Sequence, residues 1–303
     1  MSAPAYAIVD WGTSSFRSWV LDNSGGVLNS DKTGQGMSTV NREDFPSVLE
    51  ASMVRQAVPL STPIVICGMA GAAQGWVEAP YAEIPTQLHD IHQFAVKPTN
   101  TARDVWIIPG LAQRSVTEPD VMRGEETILY GAMLLGNGDG VFCMPGTHSK
   151  WAFVIDGRVE SFQTSMTGEV FALLVRHSTL TPFVSLDVGC LAHEKAFGDA
   201  VREALDKPHQ ILSSLFSVRS EPLLFGALQA GERTARLSGL LIGLEIAGLR
   251  GRSFNHVMLI SSGEISDVYC AALKVAGMTF EVLDSEALVQ AGLTQYAKQI
   301  VSL

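Results

Sequence analysis

Short apolar runs alternate along the chain with turn signals and with stretches of helical periodicity. In the first half, the apolar runs predict strands at Tyr6–Asp10, Phe16–Asp22, Val27–Thr33, Pro63–Cys67 and Val105–Ile108. Helical periodicity covers Phe45–Ala57, and Asp120–Gly131 has the pattern of a loop that enters a helix. The pattern therefore predicts an α/β protein whose first three strands form a meander.

The second half repeats this opening and then becomes helical. Strands are predicted at Val141–Met144, Lys150–Ile155, Arg158–Thr164, His256–Ser261 and Thr279–Leu283. Helices are predicted at Glu169–His177, Gly189–Leu205, His209–Phe216, Glu221–Ala230 and Glu232–Leu249, from Ser262-Gly263-Glu264 to Ala276, and at Ser285–Val301. A hairpin turn made of glycine and hydroxyl residues occurs at Gly12–Ser15 and again about 134 positions later at Gly146–Ser149, each time at the start of a strand meander. This repetition indicates duplicated halves. The Gly136–Gly140 stretch (GNGDG) marks the junction, so we expect domains at residues 1–137 and 138–303.

Composition excludes several classes of function. A formal net charge of −10 over 303 residues disfavours nucleic acid as a general partner, because such partners require a basic face. No apolar run has the length of a membrane span, and the N-terminus lacks a signal-peptide pattern. The four cysteines form no CxxC motif, which favours reduced, buried thiols and a cytoplasmic protein.

The turn between the first two strands has the chemistry of a phosphate and magnesium site. Gly12 allows close approach of the backbone to a phosphate, and Thr13 and Ser14 can add hydroxyl donors to the N–H groups of the turn. Asp10, at the end of the strand, can hold Mg²⁺ directly or through water. An ordinary polar hairpin turn is the alternative interpretation.

Three further segments carry candidate chemistry. The Gly68–Gly71 mouth after the fourth strand, with Met69, Ala70, Gly71 and the nearby Trp76, is suited to a polar ligand, although an irregular surface loop is the alternative. The segment Arg123-Gly124-Glu125-Glu126 places two acids in a first helical turn, which is also ordinary helix-start chemistry. Ser262-Gly263 forms a strand–glycine–helix junction that offers backbone N–H groups to a ligand.

Taken together, these pieces predict an ATP cleft between two lobes, and here the chain resembles the sugar kinase, Hsp70 and actin superfamily. The strings DWGTSSFRSWVLD, VMRGEET, MPGTHSKW, SMTGE and GLLIG resemble, more closely, the 2-dehydro-3-deoxygalactonokinase family over nearly the whole chain. The resemblance implies two ribonuclease-H-like lobes of the actin-like ATPase fold, and ATP- and Mg²⁺-dependent phosphorylation of the 6-hydroxyl of 2-dehydro-3-deoxy-D-galactonate.

The resemblance also implies residue roles. The first hairpin and a second one at Gly146, Thr147 and His148 would bind the phosphates, and Ser262 and Gly263 would hold the adenosine. Glu125 is the preferred catalytic base because it lies nearer the helix start than Glu126. Arg17 and Arg123 are candidates for the substrate carboxylate or the transferring phosphoryl group, since arginine suits either anion. Pro145 stands where the superfamily usually has an acid, so Asp10 would carry more of the metal binding.

Other interpretations of the function remain open from the sequence alone. A kinase of another sugar or sugar acid would have the same fold, and a homodimer is compatible with the sequence. An ATP-driven chaperone or filament protein needs large insertions for which 303 residues leave little room. A nicotinamide dehydrogenase is disfavoured because no GxGxxG follows the first strand.

Overall fold

The computed structural model describes residues 3–186, 189–226, 229–249, 251–252 and 254–301. The chain forms two compact units. The first contains Met1–Asp139, Phe153–Phe162 and Ser285–Leu303, and the second contains Gly140–Ala152 and Gln163–Asp284. The sequence-based division after residue 137 is close to the first break but differs beyond it, because a strand hairpin and the last helix return to the first unit.

The described elements follow the predicted order with some additions. Residues up to 139 contain β1 (Tyr6–Trp11), β2 (Phe16–Leu21), β3 (Val27–Thr33), α1 (Phe45–Arg55), β4 (Ile64–Gly68), β5 (Ala82–Glu83), β6 (Thr86–Gln87), β7 (Val105–Ile107), β8 (Leu111–Gln113), β9 (Asp120–Met122) and α2 (Glu125–Leu134). The rest contains β10 (Gly140–Met144), β11 (Ser149–Ile155), β12 (Arg158–Ser165), α3 (Thr167–His177), α4 (Glu194–Asp206), α5 (Ile211–Phe225), α6 (Ala230–Ala247), β13 (His256–Ile260), α7 (Glu264–Val275), β14 (Thr279–Leu283) and α8 (Ser285–Val301).

The strand order confirms the predicted duplication. One sheet has the order β3-β2-β1-β4-β7, and the other runs β14-β13-β10-β11-β12 before it ends on the short β6. In each sheet the three strands of the meander lie side by side in the reverse of their chain order. The first strand of the meander is then followed by two strands that come later in the chain. In the first sheet β1 pairs antiparallel with β2 and parallel with β4. In the second, β10 pairs parallel with β13, and β13 pairs parallel with β14.

The helix predictions need correction between residues 189 and 230. The helix predicted at Gly189–Leu205 begins only at Glu194, after a 3₁₀ turn at Cys190–His193. The helices predicted at His209–Phe216 and Glu221–Ala230 are largely one helix, α5, which continues through Pro222 to Phe225. Residues 227 and 228 of the second prediction lie outside the described residues. Gly226 ends α5 in the left-handed conformation (φ +67°), which glycine adopts without a Cβ penalty.

The core of the first unit lies between the inner face of its sheet and α1. Alternate β1 side chains Ala7, Val9 and Trp11 join it, and Trp11 packs its ring against Phe16 at 4.8 Å and Phe45 at 4.6 Å between centroids. Within the described residues, no helix combines the length and the apolar character needed to cross a membrane.

Helices α2 and α8 pack in the first unit at backbone distance. A Cβ at Gly131 would overlap the carbonyl oxygen of Leu288, and a Cβ at Gly292 would overlap that of Thr127. Next to Gly131, the ring of Tyr130 stacks on that of Tyr296 at 4.6 Å between centroids. The two glycines thus permit the close approach that keeps the last helix in the first unit.

We predict that Gly131→Ala and Gly292→Ala each lower the free energy of unfolding by about 1–2 kcal/mol. Alanine favours a helix over glycine by only ~1 kcal/mol, and the forced separation of two packed helices costs more. Urea denaturation would measure the change. Gly34→Ala is the matched control, since a Cβ at Gly34 meets nothing within 4 Å; equal stability of all three variants would contradict the prediction.

Candidate functional site

The first hairpin turn is exposed at its tip and supported from behind. The Gly12 N–H donates to the Ser15 carbonyl at 2.8 Å, while Thr13 and Ser14 are exposed. The N–H groups of Met37 and Ser38 donate to the carbonyls of Gly12 and Thr13 at 3.0 and 2.9 Å. These bonds occupy carbonyls of the turn, so its exposed hydroxyls remain available to a ligand.

Asp10 and Arg17 face each other across the same hairpin. They are paired residues of β1 and β2, and Nη2 of Arg17 lies 2.5 Å from Oδ2 of Asp10. Nη1 of Arg17 also lies 3.9 Å from a carboxylate oxygen of Glu286. Burial raises the pKa of the Asp10 carboxyl above its usual range, although the charge of Arg17 opposes this. The charge of Arg17 is thus already balanced by two carboxylates.

The predicted mouth at Met69–Gly71 is a single 3₁₀ turn that directly follows β4. Gly68 enters it with φ +87°, and a Cβ there would lie 2.6 Å from the carbonyl oxygen of Trp11. Ala70 and Gly71 are buried and Met69 is half-buried. Only glycine fits at position 68, because both its φ angle and its distance from β1 exclude a side chain.

Trp76 requires a correction. It was predicted to contribute to the polar-ligand site at the mouth, but its side chain belongs to the core of the first unit and is only 4% exposed. Its ring packs near those of Trp11 and Phe45, and its indole N–H donates to Asn100 at 2.7 Å. The packing accounts for this residue, so our candidate substrate site does not include it.

The start of α2 brings the predicted acids next to the mouth. Gly124 has φ +103°, and a Cβ there would lie 3.4 Å from the Cα of Gly68. The Glu125 carboxylate accepts a hydrogen bond from the backbone N–H of Arg123 at 3.0 Å. Glu126 accepts from the N–H of Gly124 at 2.6 Å and from the Thr127 hydroxyl at 2.9 Å. Both carboxylates therefore cap the first turn of α2. The ordinary role of acids at a helix start, which the sequence left open, is thus part of what these residues do.

The two acids differ in their surroundings. Glu126 is fully buried, whereas Glu125 is half-buried. Burial, and next the charge of Glu125, raise the pKa of Glu126 to about 7. Of the two, Glu125 is the carboxylate that a ligand can reach without rearrangement of the core.

The side chain of Arg123 extends from this helix start towards the mouth. It is only 9% exposed; its Nη2 donates to the Ala79 carbonyl at 2.9 Å, and its guanidinium lies 4.4 Å from the centroid of the Tyr81 ring. A buried cation beside the mouth makes this part of the first unit attractive to an anion.

The second hairpin lies at the N-terminus of α3 in the second unit. The Glu169 N–H donates to the Thr147 carbonyl at 3.0 Å, and the Glu169 carboxylate lies 2.5 Å from Nε2 of His148. A Cβ at Gly168 would overlap the carbonyl oxygen of Gly146. Thr147 and His148 are exposed. The helix start at Thr167–Glu169 thus fixes the turn from below, a role that sequence reasoning did not assign to the SMTGE string.

A pocket of about 280 Å³ opens beside this hairpin within the second unit. It extends from Gly146 and Gly168 to Glu264 and Ile265, the residues that follow the Ser262-Gly263 junction. Its other walls are mainly apolar and include Phe171, Leu241 and Val268, with polar groups from Thr234 and Ser238. Its volume lies near the lower end of ligand pockets, which are mostly apolar with a few polar groups. Ser262 itself is exposed, and Gly263 is the N-cap of α7 with φ +66°.

Glu245 lies behind one wall of this pocket and joins four elements. Its carboxylate accepts from Ser149 and from the Trp151 indole on β11, each at 2.7 Å, from Tyr269 on α7 at 2.9 Å, and from Thr167 at the start of α3. Burial, and next the charge of Glu245, hold the pKa of Tyr269 well above its usual range, so the phenol remains a donor. The sequence signal was a single acid inside the apolar helical run GLLIGLEIAGL.

The chain is similar in sequence to sugar-acid kinases over nearly its whole length. The model of the family described as 2-keto-3-deoxy-galactonokinase matches residues 10–296. A protein of Rhizobium meliloti (strain 1021) named "Probable 2-dehydro-3-deoxygalactonokinase DgoK1" is 45% identical over 99% of this chain and 98% of its own length. The 2-dehydro-3-deoxygalactonokinase of Escherichia coli (strain K12) is 31% identical over 98% of this chain and 99% of its own length.

Solved structures agree on the fold. The crystal structure of a "putative 2-dehydro-3-deoxygalactonokinase protein" from Sinorhizobium meliloti, 44% identical, matches 98% of this chain and 100% of its own with a TM-score of 0.93. Two more distant structures are the activator of the 2-hydroxyisocaproyl-CoA dehydratase from Clostridium difficile, 12% identical, and component A of the (R)-2-hydroxyglutaryl-CoA dehydratase from Acidaminococcus fermentans, 11% identical. Each matches 98% of this chain, with TM-scores of 0.52 and 0.50. The predicted α/β architecture of the actin-like ATPase fold is thereby confirmed.

We predict that Glu126 makes stability depend on pH. Its folded pKa of about 7 exceeds the ordinary value of 4.5, so the folded state binds more protons between these values and stability falls as pH rises through them. The free energy of unfolding of Glu126→Gln minus that of the wild type should therefore rise by about 3 kcal/mol between pH 4.5 and 7.5. Urea titrations at several pH values would measure it; parallel curves for both proteins would contradict it.

We also predict that Glu245→Gln destabilises the second unit by about 2–4 kcal/mol. The amide replaces one accepting oxygen by a donor, which leaves buried donors such as Tyr269 or Trp151 facing an N–H group. Thermal unfolding followed by circular dichroism would detect the loss. Glu281→Gln at an exposed position of β14 is the control, and an equal effect of the two substitutions would refute the assignment.

Proposed function

The chain belongs to the 2-keto-3-deoxy-galactonokinase family, and from this premise we propose that it transfers the γ-phosphoryl group of ATP to the 6-hydroxyl of 2-dehydro-3-deoxy-D-galactonate. The observation that carries the proposal is the full-length similarity to kinases named for this substrate. Phosphoryl transfer needs alignment and charge neutralisation more than covalent chemistry, and each unit offers exposed donors for that task.

The phosphates would be bound by the two hairpins. Thr13 and Ser14 with the backbone of Gly12 form one set of donors, and Gly146, Thr147 and His148 form the other. Both turns are supported from behind, the first by Met37 and Ser38 and the second by the start of α3. This support suits a site that must present its N–H groups and hydroxyls in fixed directions.

The adenosine would occupy the pocket of the second unit. The apolar walls suit a flat heterocycle, and the Ser262-Gly263 junction begins the helix from which Glu264 and Ile265 line the pocket. Ser238 and Glu264 offer polar atoms to the base or the ribose.

Asp10 is the residue that would hold Mg²⁺. Magnesium in kinase sites is bound through one or two carboxylates, with waters and substrate phosphates as the other ligands, so a single carboxylate at a phosphate turn fits. The described residues include no group of three or more metal-ligating side chains. When bound, the ion would neutralise charge on the phosphoryl oxygens. The chain's own contribution is to hold the Asp10 carboxylate in place through Arg17.

Glu125 would accept the proton of the 6-hydroxyl. Its carboxylate is half-buried and is oriented by the Arg123 N–H, whereas Glu126 is fully buried and bonded to Gly124 and Thr127. Glu126 would then position the helix start rather than contact the hydroxyl. The cytoplasmic location expected from the sequence remains a prediction within this proposal, as does the homodimer with which the sequence is compatible.

A coupled assay of ADP release tests the proposed reaction. The enzyme should turn over ATP with 2-dehydro-3-deoxygalactonate, and much more slowly with the gluconate epimer. ATP turnover that no sugar acid stimulates would overturn the proposal.

For Glu125→Gln we predict a fall in kcat of roughly 10²–10⁴-fold, the usual contribution of a general base. The KM for ATP should change little, because Glu125 belongs to the sugar-acid side of the site. Steady-state kinetics would measure both constants, and Glu118→Gln at an exposed position serves as control. Near-normal turnover of Glu125→Gln would show that another group takes the proton.

A further inference from the structure

Arg123 is a buried cation with unused hydrogen-bond donors. Its side chain is 9% exposed, and its Nε and Nη1 atoms have no hydrogen-bond partner among the described residues. Only Nη2 has a protein acceptor, the carbonyl of Ala79 at 2.9 Å. Buried charges in proteins are normally paired and fully hydrogen-bonded, because an unpaired one is costly.

Another buried arginine of the same unit shows the usual arrangement. Arg103, 6% exposed, donates from Nε and Nη2 to the two carboxylate oxygens of Glu50 at 2.6 and 2.9 Å. Its Nη1 donates to the Pro59 carbonyl at 2.8 Å. All three nitrogen atoms of the Arg103 guanidinium thus have hydrogen-bond acceptors, as expected of a buried arginine whose role is packing. The donors of Arg123 that have no acceptor are therefore a specific feature of its site.

The surroundings of Arg123 are shaped around the guanidinium. A Cβ at Gly71 would lie 2.8 Å from Nη1, so the mouth needs glycine there to admit the group. The Tyr81 ring covers the guanidinium at 4.4 Å and is itself 36% exposed, which makes it the neighbour that can move aside for a ligand. The unfilled donors therefore lie at the Met69–Gly71 mouth, under an exposed ring.

We propose that Arg123 binds the C1 carboxylate of the substrate and so selects sugar acids over neutral sugars. This inference rests on the proposed function. A permanent negative charge is what a buried guanidinium lacks, and the carboxylate is the one permanent charge of a sugar acid. Arg17, the other arginine considered from the sequence, already faces the carboxylates of Asp10 and Glu286.

The distance to the proposed base is consistent with this assignment. The backbone N–H of Arg123 holds the Glu125 carboxylate, while its side chain extends to Gly71 and Tyr81. The proposed base thus lies at the backbone end of Arg123, and the guanidinium lies at the far end of the same side chain. In a six-carbon acid, the carboxylate and the 6-hydroxyl stand at opposite ends of a chain of similar length.

The test compares two substrates in the full-length enzyme. One is 2-dehydro-3-deoxygalactonate, and the other is the 3-deoxyhexulose of the same configuration, in which a hydroxymethyl group replaces the carboxylate. For Arg123→Gln, kcat/KM for the acid should fall roughly 30- to 1,000-fold, as when one partner of a buried charge pair is removed. The same constant for the neutral sugar and the KM for ATP should change little. Arg123→Lys should recover part of the loss, and Arg114→Gln at an exposed arginine serves as control.

Gly71→Ala provides a second variant should Arg123→Gln fold poorly. It keeps the charge but displaces Nη1, so it should raise the KM for the acid and leave the KM for ATP unchanged. An equal loss for both substrates, or a loss confined to the KM for ATP, would overturn the inference while the proposed function stands. A wild-type enzyme that does not phosphorylate the acid would overturn the proposed function itself.

Discussion

The candidate site of the first unit depends on the close approach of backbone segments at the end of β4. A Cβ at Gly68 would lie 2.6 Å from the carbonyl oxygen of Trp11 at the end of β1, and Gly124 at the start of α2 lies in van der Waals contact with Gly68. Both glycines have positive φ, which other residues rarely adopt. Because of this junction, Asp10, the Met69–Gly71 mouth and Glu125 emerge from neighbouring ends of separate elements.

The two units use the same strand order but stabilise their turns by different chemistry. In the first, an ion pair between Asp10 and Arg17 spans the hairpin. In the second, Pro145 replaces the acid, and the uncharged donors Ser149, Trp151, Tyr269 and Thr167 converge on Glu245 one layer below. The same strand order thus supports one turn that is spanned by an ion pair and one turn that rests on a layer held by a buried carboxylate.

The sequence predicted what local pattern controls. The first three strands, β14 and α8 have the predicted bounds to within one residue, because hydrophobic period and Gly or Pro punctuation mark them directly. The short strands β5, β6, β8 and β9 were missed, since two or three residues carry no period. The sequence also predicted two separate helices around Pro222. This prediction was wrong, because α5 continues through Pro222 to Phe225.

The site was predictable in its residue types but not in its pairings. Glycine, hydroxyl and acid at strand ends pointed to the segments that form the candidate site, yet the burial of Trp76 depends on rings that lie distant in sequence. Glu245 bonds to residues 78 and 96 positions away, which no local window contains. The different surroundings of Arg17 and Arg123 also arise only after folding, because Glu286 comes from the last helix.

The indole of Trp151 gives the second unit an optical signature of its own. The chain has five tryptophans, and Trp11, Trp19, Trp76 and Trp106 all belong to the first unit. Trp151 is fully buried and hydrogen-bonded to the carboxylate behind the pocket wall. With the other four replaced by phenylalanine, its emission wavelength would report the polarity around Glu245, one residue layer from the space assigned to the nucleotide.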